Sequence, residues 1–385
     1  MTAATTAAAL PLAGVRVVEF THMVMGPTCG MILADLGADV IKVEPPGGDR
    51  TRTLTGVGVG FFRTFNRNKR SVVLDVDTPE GRATALELIG SADVMIENFR
   101  PGRMASLGLD HASLVERFPQ LIYASHKGFL PGPYENRVAL DEVVQMMGGL
   151  AYMTGPEGRP LRVGSSVNDI MGGMFGVIGI LAALYERKST GRGQQIQSAL
   201  FENCAFLSAQ HMQQHLMTNA PTPPMPSRAS PWTVYDIFTV ADGKQLFIGA
   251  VSDRQWEMLC NVLDCPELLA DPALRTNAQR LAQRPAVLAR LGEILKHHEI
   301  GALSAKLETA GLPYAPIMRP DQLVHDPHLV ASGGLVPMQA DDGTTTQVVL
   351  LPLLLDGRRP AVRRTLPRAG EHTDEVLAEL GSPAR

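Results

Sequence analysis

The sequence predicts an α/β protein with a Rossmann-like large domain and a smaller α+β domain. Two observations support this fold class. Short runs of branched apolar residues alternate with helical patterns over the first half of the chain, and a proline-rich stretch at 219–231 precedes a hairpin pattern and further helices. Strands that alternate with helices build a parallel, doubly wound sheet. The proline-rich composition is typical of an extended linker between domains.

Two βαβ units open the chain, and a further strand follows them. In the first unit, residues 26–37 (GPTCGMILADLG) have helical spacing between two buried strands, and in the second unit residues 78–92 form an amphipathic helix. The strands predicted for the large domain are 15–20, 38–44, 71–76, 93–99 and 121–129.

The second half of the chain has a different pattern. Residues 235–250 (YDIFTVADGKQLFIGA) predict a hairpin with its turn at Asp242-Gly243, and helical segments follow around 253–264, 285–298 and 301–311. An alternating run (TTTQVVLLPLLL) and a terminal helix (TDEVLAELG) then return to the large domain. The predicted division is a large domain at 1–200, a linker at 201–227, a small domain at 228–325 and a return segment at 326–385.

Composition indicates a globular protein with no general polyanion-binding surface. The chain has 385 residues, 45% of them apolar and 19% charged, with a net charge of −4. This balance excludes a broadly basic surface, so we expect neither nucleic acid nor membrane as a partner. The apolar run 170–185 is shorter than the roughly 20 residues of a membrane span and predicts a buried helix.

The cysteines and the N-terminus predict a cytoplasmic protein. The four cysteines form no CxxC motif, which argues against a zinc site or a disulfide framework and indicates reduced thiols. The first residues lack the positive and apolar regions of a signal peptide.

A nicotinamide enzyme is the obvious inference from such a sheet, and the sequence argues against it. The chain reads THMVMGP after the first strand, without the GxGxxG that lets a backbone approach a pyrophosphate. Glu44 ends the second strand where a ribose-binding acid would lie, but a single acid is weak evidence. GVGVG at 56–60 is followed by no helical pattern and is interpreted as a loop.

Asp169 introduces a long apolar helix pattern at 165–187 (SSVNDIMGGMFGVIGILAALYER). Asn168 or Asp169 is a good N-cap for that helix, so the acid is either a structural cap or a catalytic group. Glycines at 172, 173, 176 and 179 each cost about 1 kcal/mol in a helix. They therefore indicate close approach by another helix or by a ligand.

Seven motifs occur in an order that resembles the class III CoA-transferases. This family includes formyl-CoA transferase and, as a divergent branch, α-methylacyl-CoA racemase, and the resemblance runs from about residue 12 to the end of the chain. The motifs are VVEFTHMVMGP, LADLGADVIKVEPP, FNRNKRSVVLDVDTPEG, DVMIENFRPGRMASLGL, YASHKGF, YERKSTGRGQ and GEHTDEVLAELG.

The resemblance implies an interlocked homodimer and places the catalytic aspartate at Asp169. Its carboxylate would attack an acyl-CoA thioester to give a mixed anhydride, and the freed thiolate would then form an aspartyl-CoA thioester. The substrates would be an acyl-CoA donor and a carboxylic acid acceptor. Coenzyme A thioester would act as a substrate, with no permanently bound cofactor and no metal.

Family positions carried onto this chain imply a set of CoA contacts. The basic run at 66–70 (NRNKR) can add charge near the CoA phosphates, or can be a solvated turn before a strand. His126 matches the end of a strand and is expected to be structural. The implied contacts are Met23, Val24, Leu74, Asp75, Val76, Asn98, Phe99, Arg100 and Arg137.

Departures from the family pattern bear on the substrate. Leu140 precedes Asp141 where the racemase branch has a histidine, so one of the two bases of a proton shuttle is missing. Val24 and Leu140 stand where formyl-CoA transferase has glutamine and tyrosine, and its glycine-rich loop is absent. These changes predict a larger acid than oxalate, a C4–C5 dicarboxylate. Candidates to bind its free carboxylate are His22, Arg52, Arg103 and Arg137, with Leu140 also lining the substrate site.

Three functions remain open from the sequence. The first is CoA transfer from a donor such as succinyl-CoA to a separate acid. The second is an isomerase, which either moves CoA between two carboxyls of one dicarboxylic acid or racemises an acyl-CoA. The third is a CoA-thioester binding protein without turnover.

Overall fold

The computed structural model describes residues 10–340 and 342–381. The described chain divides into two compact units. The large unit includes the chain up to Ser227 and resumes at Pro327, and the small unit is Arg228–Asp326. The first nine residues, where we expect no signal peptide, lie outside the described chain.

A six-stranded parallel sheet forms the centre of the large unit. Its strand order is β3-β2-β1-β4-β5-β6, which is the Rossmann order with its switch point between β1 and β4. The predicted α/β class with a parallel sheet is confirmed. The strands are β1 Arg16–Phe20, β2 Asp39–Glu44, β3 Arg70–Val73, β4 Val94–Glu97, β5 Ile122–Lys127 and β6 Gln195–Ala199.

Helices cover both faces of this sheet. The helix that begins at Pro79 shows why a helix starts there. The hydroxyl of the N-cap residue Thr78 accepts the Gly81 N–H at 3.0 Å, and proline is favoured at the first helical position. The helices before the proline-rich stretch are α1 Met25–Asp35, α2 Phe61–Phe65, α3 Pro79–Gly90, α4 Arg103–Ser106, α5 His111–Leu114, α6 Asp141–Met147, α7 Leu150–Thr154, α8 Val167–Thr190 and α9 Leu200–Thr218.

The sheet is buried on both faces, as its continuous apolar strands predict. Val17 and Val18 of β1 are both fully buried but belong to different cores. The first core contains residues of α1 and α8, including Leu33 and Ile180. The second contains residues of α3 on the opposite face. Successive strand residues therefore anchor opposite helix layers.

The four glycines of α8 are explained by packing of the large unit. A side chain at Gly173 would place its Cβ 2.7 Å from the Met25 carbonyl oxygen, and one at Gly179 would lie 2.6 Å from Ile196. At Gly176 a Cβ would overlap the buried His126 ring. By length and composition α8 is able to span a membrane. In this structure α1, β5 and β6 pack against the face of α8 that carries its glycines.

The C-terminal segment returns to the edge of the sheet. The His372 N–H donates to the Ser71 carbonyl at 2.9 Å, and Arg70 pairs with Glu379 at 2.6 Å. Val376 is fully buried in the α3-side core. The elements of this segment are α15 Pro327–Ala331, β10 Leu335–Gln339, β11 Thr345–Val349 and α16 Thr373–Leu380.

The small unit has its own apolar core on a three-stranded antiparallel sheet. Its hairpin turns at Gly243, whose φ of +72° is in the left-handed region. The strands are β7 Val234–Thr239, β8 Gln245–Ala250 and β9 Tyr314–Pro316, and the helices are α10 Asp253–Val262, α11 Pro266–Ala270, α12 Asn277–Ala282, α13 Arg284–Leu295 and α14 Ile300–Thr309.

A segment assigned to the linker and a segment interpreted as a loop both contain helices. Residues 201–227 are assigned to a linker by the sequence, whereas most of them form α9 and all belong to the large unit. Ser208 of this helix donates to the Gly148 carbonyl at 2.9 Å, so α9 is attached by contacts distant in sequence. GVGVG forms a 3₁₀ helix, Gly56–Gly60, and α2 follows it directly.

Candidate active site

The CoA contacts implied by the family resemblance lie at one edge of the sheet. The loops that carry them follow the carboxyl ends of β1, β3, β4 and β5, which are aligned in a parallel sheet. Strands β3 and β4 end earlier than the sequence predicts, so 74–76 and 98–100 are loop residues. Ligands of open parallel sheets bind at this edge, next to the switch point.

The loop between β1 and α1 is held by two polar side chains. Asn98 accepts the His22 N–H at 3.0 Å and donates to the His22 carbonyl at 2.8 Å. Buried Lys42 donates to the Thr21 carbonyl at 2.6 Å. Met23, in the middle of this loop, has a φ of +64°, which is unusual for a residue other than glycine. Hydrogen bonds therefore connect the loop after β1 directly to the loop after β4, and both loops carry implied CoA contacts.

The loop after β4 is fixed by Glu97. Its carboxylate is buried and accepts the Phe99 N–H at 2.9 Å, and burial raises its pKa. The Lys127 Nζ of β5 lies 3.4 Å from the Glu97 carboxylate. A cavity of about 280 Å³ adjoins this pair and exposed Arg100.

Glu44 and Arg52 bind each other. The Arg52 guanidinium contacts both Glu44 carboxylate oxygens, at 2.6 and 2.8 Å, and also donates to the Pro367 carbonyl. Ser71 supplies a further hydrogen bond to Glu44 at 2.6 Å. Glu44 is therefore used within the fold and is not presented to a ribose. Arg52 is directed to Glu44, and Arg103, another candidate for the substrate carboxylate, pairs with Asp77 at 2.6 Å on the surface.

The basic run 66–70 is buried, which contradicts both interpretations offered by the sequence. Arg67 is 2% exposed and contacts Asp35 at 2.6 Å, and Lys69 is fully buried and contacts Glu19 at 2.7 Å. Buried charges require such partners, because an unpaired one costs several kcal/mol. The partner acids belong to α1 and β1. The run therefore ties elements of the large unit together.

Arg137 and Leu140 lie on an exposed loop between β5 and α6. The Arg137 guanidinium stacks over the Tyr134 ring, 4.9 Å from its centre. Leu140 is 61% exposed and immediately precedes α6. Neither side chain is in the core, so both are available to a ligand.

Asp169 does not cap α8, because Asp141 performs that role. One oxygen of the buried Asp141 carboxylate accepts the Asn168 N–H at 2.8 Å and lies 3.4 Å from the Asp169 N–H. Asp169 is the third residue of α8, after the N-cap residue Ser166. Within the described chain no hydrogen bond is donated to the Asp169 carboxylate. Its lone pairs are therefore free for chemistry.

The surroundings of Asp169 favour its protonated form. Burial, and then the negative charge of Asp141, raise the Asp169 pKa to about 7, while Arg162 opposes the shift. A carboxylate with such a pKa is more basic than usual but is still ionised in a large fraction of molecules at neutral pH.

The second turn of α8 packs against the start of α1, which follows the loop that carries Met23 and Val24. Gly172 and Gly173, one turn after Asp169, contact Met25, which follows that loop. The structure therefore packs α8 against α1, the helix that directly follows the Met23–Val24 loop. Arg52, Arg103 and the basic run do not join this group, since acids within the fold bind them.

Two site residues escape the sequence analysis. Gln145 donates to the second Asp141 oxygen at 2.5 Å and accepts the Val163 N–H at 2.8 Å. Arg162 lies 3.7 Å from the same Asp141 oxygen. The spacing of Asp141 and Gln145, four residues apart on a helix, is a usable signal for their contact. Arg162 is on an irregular loop, where no periodicity indicates it.

Comparison with known proteins identifies relatives that are CoA-transferases. A family model described as CoA-transferase family III matches residues 12–373. The succinate–glutarate CoA-transferase of Agrobacterium fabrum is 36% identical over 384 residues, with 96% of each chain covered. The acetyl-CoA:oxalate CoA-transferase of Acetobacter aceti is 38% identical, with 85% of this chain and 87% of the relative covered.

A solved structure shows the same fold. The CAIB/BAIF family protein from Brucella suis superposes with a TM-score of 0.88 at 36% identity, covering 97% of this chain and all of that one. The family model spans nearly the whole chain, and the Agrobacterium relative covers 96% of it. The chain therefore belongs to CoA-transferase family III and is a transferase enzyme.

Proposed function

We propose that this protein transfers CoA from an acyl-CoA such as succinyl-CoA to a C4–C5 dicarboxylic acid, with Asp169 as the nucleophile. The observation that carries the proposal is the Asp169 carboxylate, which is partly buried, has a raised pKa and is released from capping by Asp141. A structural acid at a helix start would instead bind the helix N–H groups itself.

In the first step, an Asp169 oxygen attacks the thioester carbonyl carbon. The carbon–sulfur bond breaks, and the CoA thiolate leaves with its electron pair, which gives a mixed anhydride of Asp169 and the acyl group. The raised pKa supports this role, because a more basic carboxylate is a better nucleophile.

In the second step, the thiolate attacks the Asp169 carbonyl carbon of the anhydride. The carbon–oxygen bond to the first acid breaks, so that acid departs as a carboxylate and Asp169 carries the CoA as a thioester. A second acid then reverses both steps. Each step exchanges one activated acyl group for another, so the protein's own residues are sufficient for this proposed chemistry.

The size of the acceptor is inferred from two side chains and one relative. The Agrobacterium relative is named for succinate and glutarate, which contain four and five carbons. The Acetobacter relative is named for oxalate. Val24 and Leu140 replace polar residues that formyl-CoA transferase has at these positions. Val24 is 1% exposed in this structure, whereas Leu140 is exposed where a longer aliphatic acid would benefit from apolar contact. We therefore favour the larger acids.

Initial rates with succinyl-CoA and a panel of acids test this proposal. We expect glutarate, mesaconate or itaconate to give at least tenfold higher kcat/KM than oxalate, and the Val24→Gln, Leu140→Tyr double variant to move the ratio toward oxalate. A rate that requires the free acid also separates this reaction from CoA transfer within one molecule. Oxalate as the best acceptor of the unmodified enzyme would contradict the proposed substrate class.

We also propose that the enzyme acts in the cytoplasm as a homodimer. The four cysteines are free and buried, which suits a reducing compartment. Support for the dimer is an apolar stripe on α8, spaced by four, three and four residues, whose members are each at least 38% exposed. These residues are Met174, Ile178, Leu181 and Tyr185.

A further inference from the structure

We propose that Arg162 binds the free carboxylic acid and holds it beside Asp169 while CoA passes between the acid and Asp169. The inference rests on the proposed function and assigns a role to a residue outside the sequence-predicted site. Arg162 would bind the reacting carboxylate, which is the group that every acceptor shares.

The loop of Arg162 is attached to α6, the helix whose Asp141 also holds the start of α8. The backbone next to it is held where the Val163 N–H donates to Gln145 at 2.8 Å. Gln145 in turn donates to Asp141 at 2.5 Å, and the other oxygen of Asp141 caps α8 at Asn168. One fully buried glutamine thus joins the Arg162 loop to the start of the catalytic helix.

The guanidinium retains donors for an incoming carboxylate. Its Nε donates to the Val163 carbonyl at 3.1 Å, and Nη1 pairs with Glu142. Nη2 lies 3.7 Å from Asp141, beyond hydrogen-bond distance. The Glu142 side chain is 57% exposed, and such surface pairs are weak and easily exchanged. A bound acid can therefore use Nη2 and take the place of Glu142 on Nη1.

Charge balance explains why a cation is useful here. When Asp169 attacks the thioester, its negative charge passes to the CoA thiolate, and when the thiolate attacks the anhydride, the charge passes to the departing acid. The site holds the carboxylates of Asp141 and partly exposed Glu142, and one further negative charge that is on Asp169, on the thiolate or on the departing acid. Arg162 is the cation that contacts Asp141 and Glu142 and opposes the raised pKa of Asp169. The acid can approach once Asp169 has lost its charge, and Arg162 then binds it.

The kinetic test compares Arg162→Gln and Arg162→Lys with Arg159→Gln, a control on the same exposed loop. For glutarate and succinyl-CoA, we expect Arg162→Gln to raise the KM for glutarate about 10- to 100-fold, the range of a charged hydrogen-bonded pair, with under threefold change for succinyl-CoA. Arg162→Lys should recover part of the loss. Equal effects on both KM values, or none, would overturn the inference.

A binding test separates this inference from the proposed function. In Asp169→Asn the neutral amide resembles the uncharged thioester stage and transfer is blocked, so glutarate binding can be measured by calorimetry without turnover. We expect Asp169→Asn to bind glutarate at least tenfold more tightly than the Asp169→Asn, Arg162→Gln double variant. Equal affinities would overturn the role of Arg162 even if the unmodified enzyme transfers CoA. An unmodified enzyme with no transfer would contradict the proposed function alone.

Discussion

At the scale of single residues, two carboxylates at the start of α8 divide two tasks. Asp141, brought from 27 residues earlier in the chain, accepts the helix N–H at 2.8 Å, and Asp169 keeps its oxygens free. The negative charge of Asp141 is also one cause of the raised Asp169 pKa. The residue that caps the helix therefore also makes the proposed nucleophile more basic.

Replacing Asp141 by Asn tests this division. The amide keeps an oxygen for the helix N–H groups but removes a negative charge, so the Asp169 pKa falls from about 7. Since the carboxylate is the active form, kcat/KM for succinyl-CoA should rise with pH through about 7 in the unmodified enzyme. This rise is the acidic limb of the pH profile, and in Asp141→Asn it should move to lower pH.

Glu142→Gln is the control for that measurement. Its side chain is 57% exposed, against 6% for Asp141, so solvent screens its charge and the limb should move much less. An unchanged limb in Asp141→Asn, or a shift to higher pH, would show that Asp141 does not set the basicity of the nucleophile.

At the scale of elements, α8 is glycine-rich because neighbours press against one of its faces. The helix carries an apolar sequence suitable for burial, yet its glycines are what permit α1, β5 and β6 to approach. Close packing of this kind holds α8 against α1, the helix that follows the loop after β1. The geometry of the site thus depends on residues far from the chemistry.

Gly176→Ala tests this packing. A methyl group would overlap the His126 ring and lie 3.2 Å from the Cys29 sulfur, and overpacking of a core costs about 1–3 kcal/mol. We expect a lower midpoint of urea unfolding, partly restored by adding His126→Ala. The control is Gly292→Ala on α13, where no described atom lies within 4 Å and alanine should stabilise by up to about 1 kcal/mol. Equal effects at both positions would contradict the packing explanation.

At the scale of the whole molecule, α9 exposes apolar residues as α8 does, and the Phe206 ring of α9 lies 5.6 Å from the Phe175 ring of α8. Phe206 is 67% exposed and Leu216 is 69% exposed. Large exposed apolar residues of this number on two packed helices are unusual on a monomer and are typical of an interface. Together with the family resemblance, they support the proposed homodimer.

Light scattering after gel filtration tests the dimer. We expect a mass of twice the 41.4 kDa chain, and Ile178→Asp with Leu216→Asp should shift the protein toward the monomer. Val57→Asp, at a 91% exposed position outside the stripe, should leave the mass unchanged. A monomeric unmodified protein, active as such, would contradict the proposal.

Sequence reasoning succeeds for features set by local pattern and fails for those set by distant partners. The strands and α8 follow from periodicity, and Asp169 stands out as an acid that opens an apolar helix. The burial of Arg67 depends on Asp35, 32 residues away, and the capping of α8 depends on Asp141. Neither pairing leaves a periodic signal, so the basic run is misinterpreted as solvated or phosphate-binding and the capping role of Asp141 is missed.

The central claim is that Asp169 carries the acyl and CoA groups. The direct measurement is the intact mass of the protein after incubation with succinyl-CoA, followed by hydroxylamine or borohydride trapping and peptide mapping. We expect a CoA adduct or a trapped modification on Asp169 that disappears when a dicarboxylic acid is added and is absent from Asp169→Asn. An unmodified Asp169 across donors, with solvent deuterium entering the α-carbon of an acyl-CoA, would contradict the claim and indicate an isomerase.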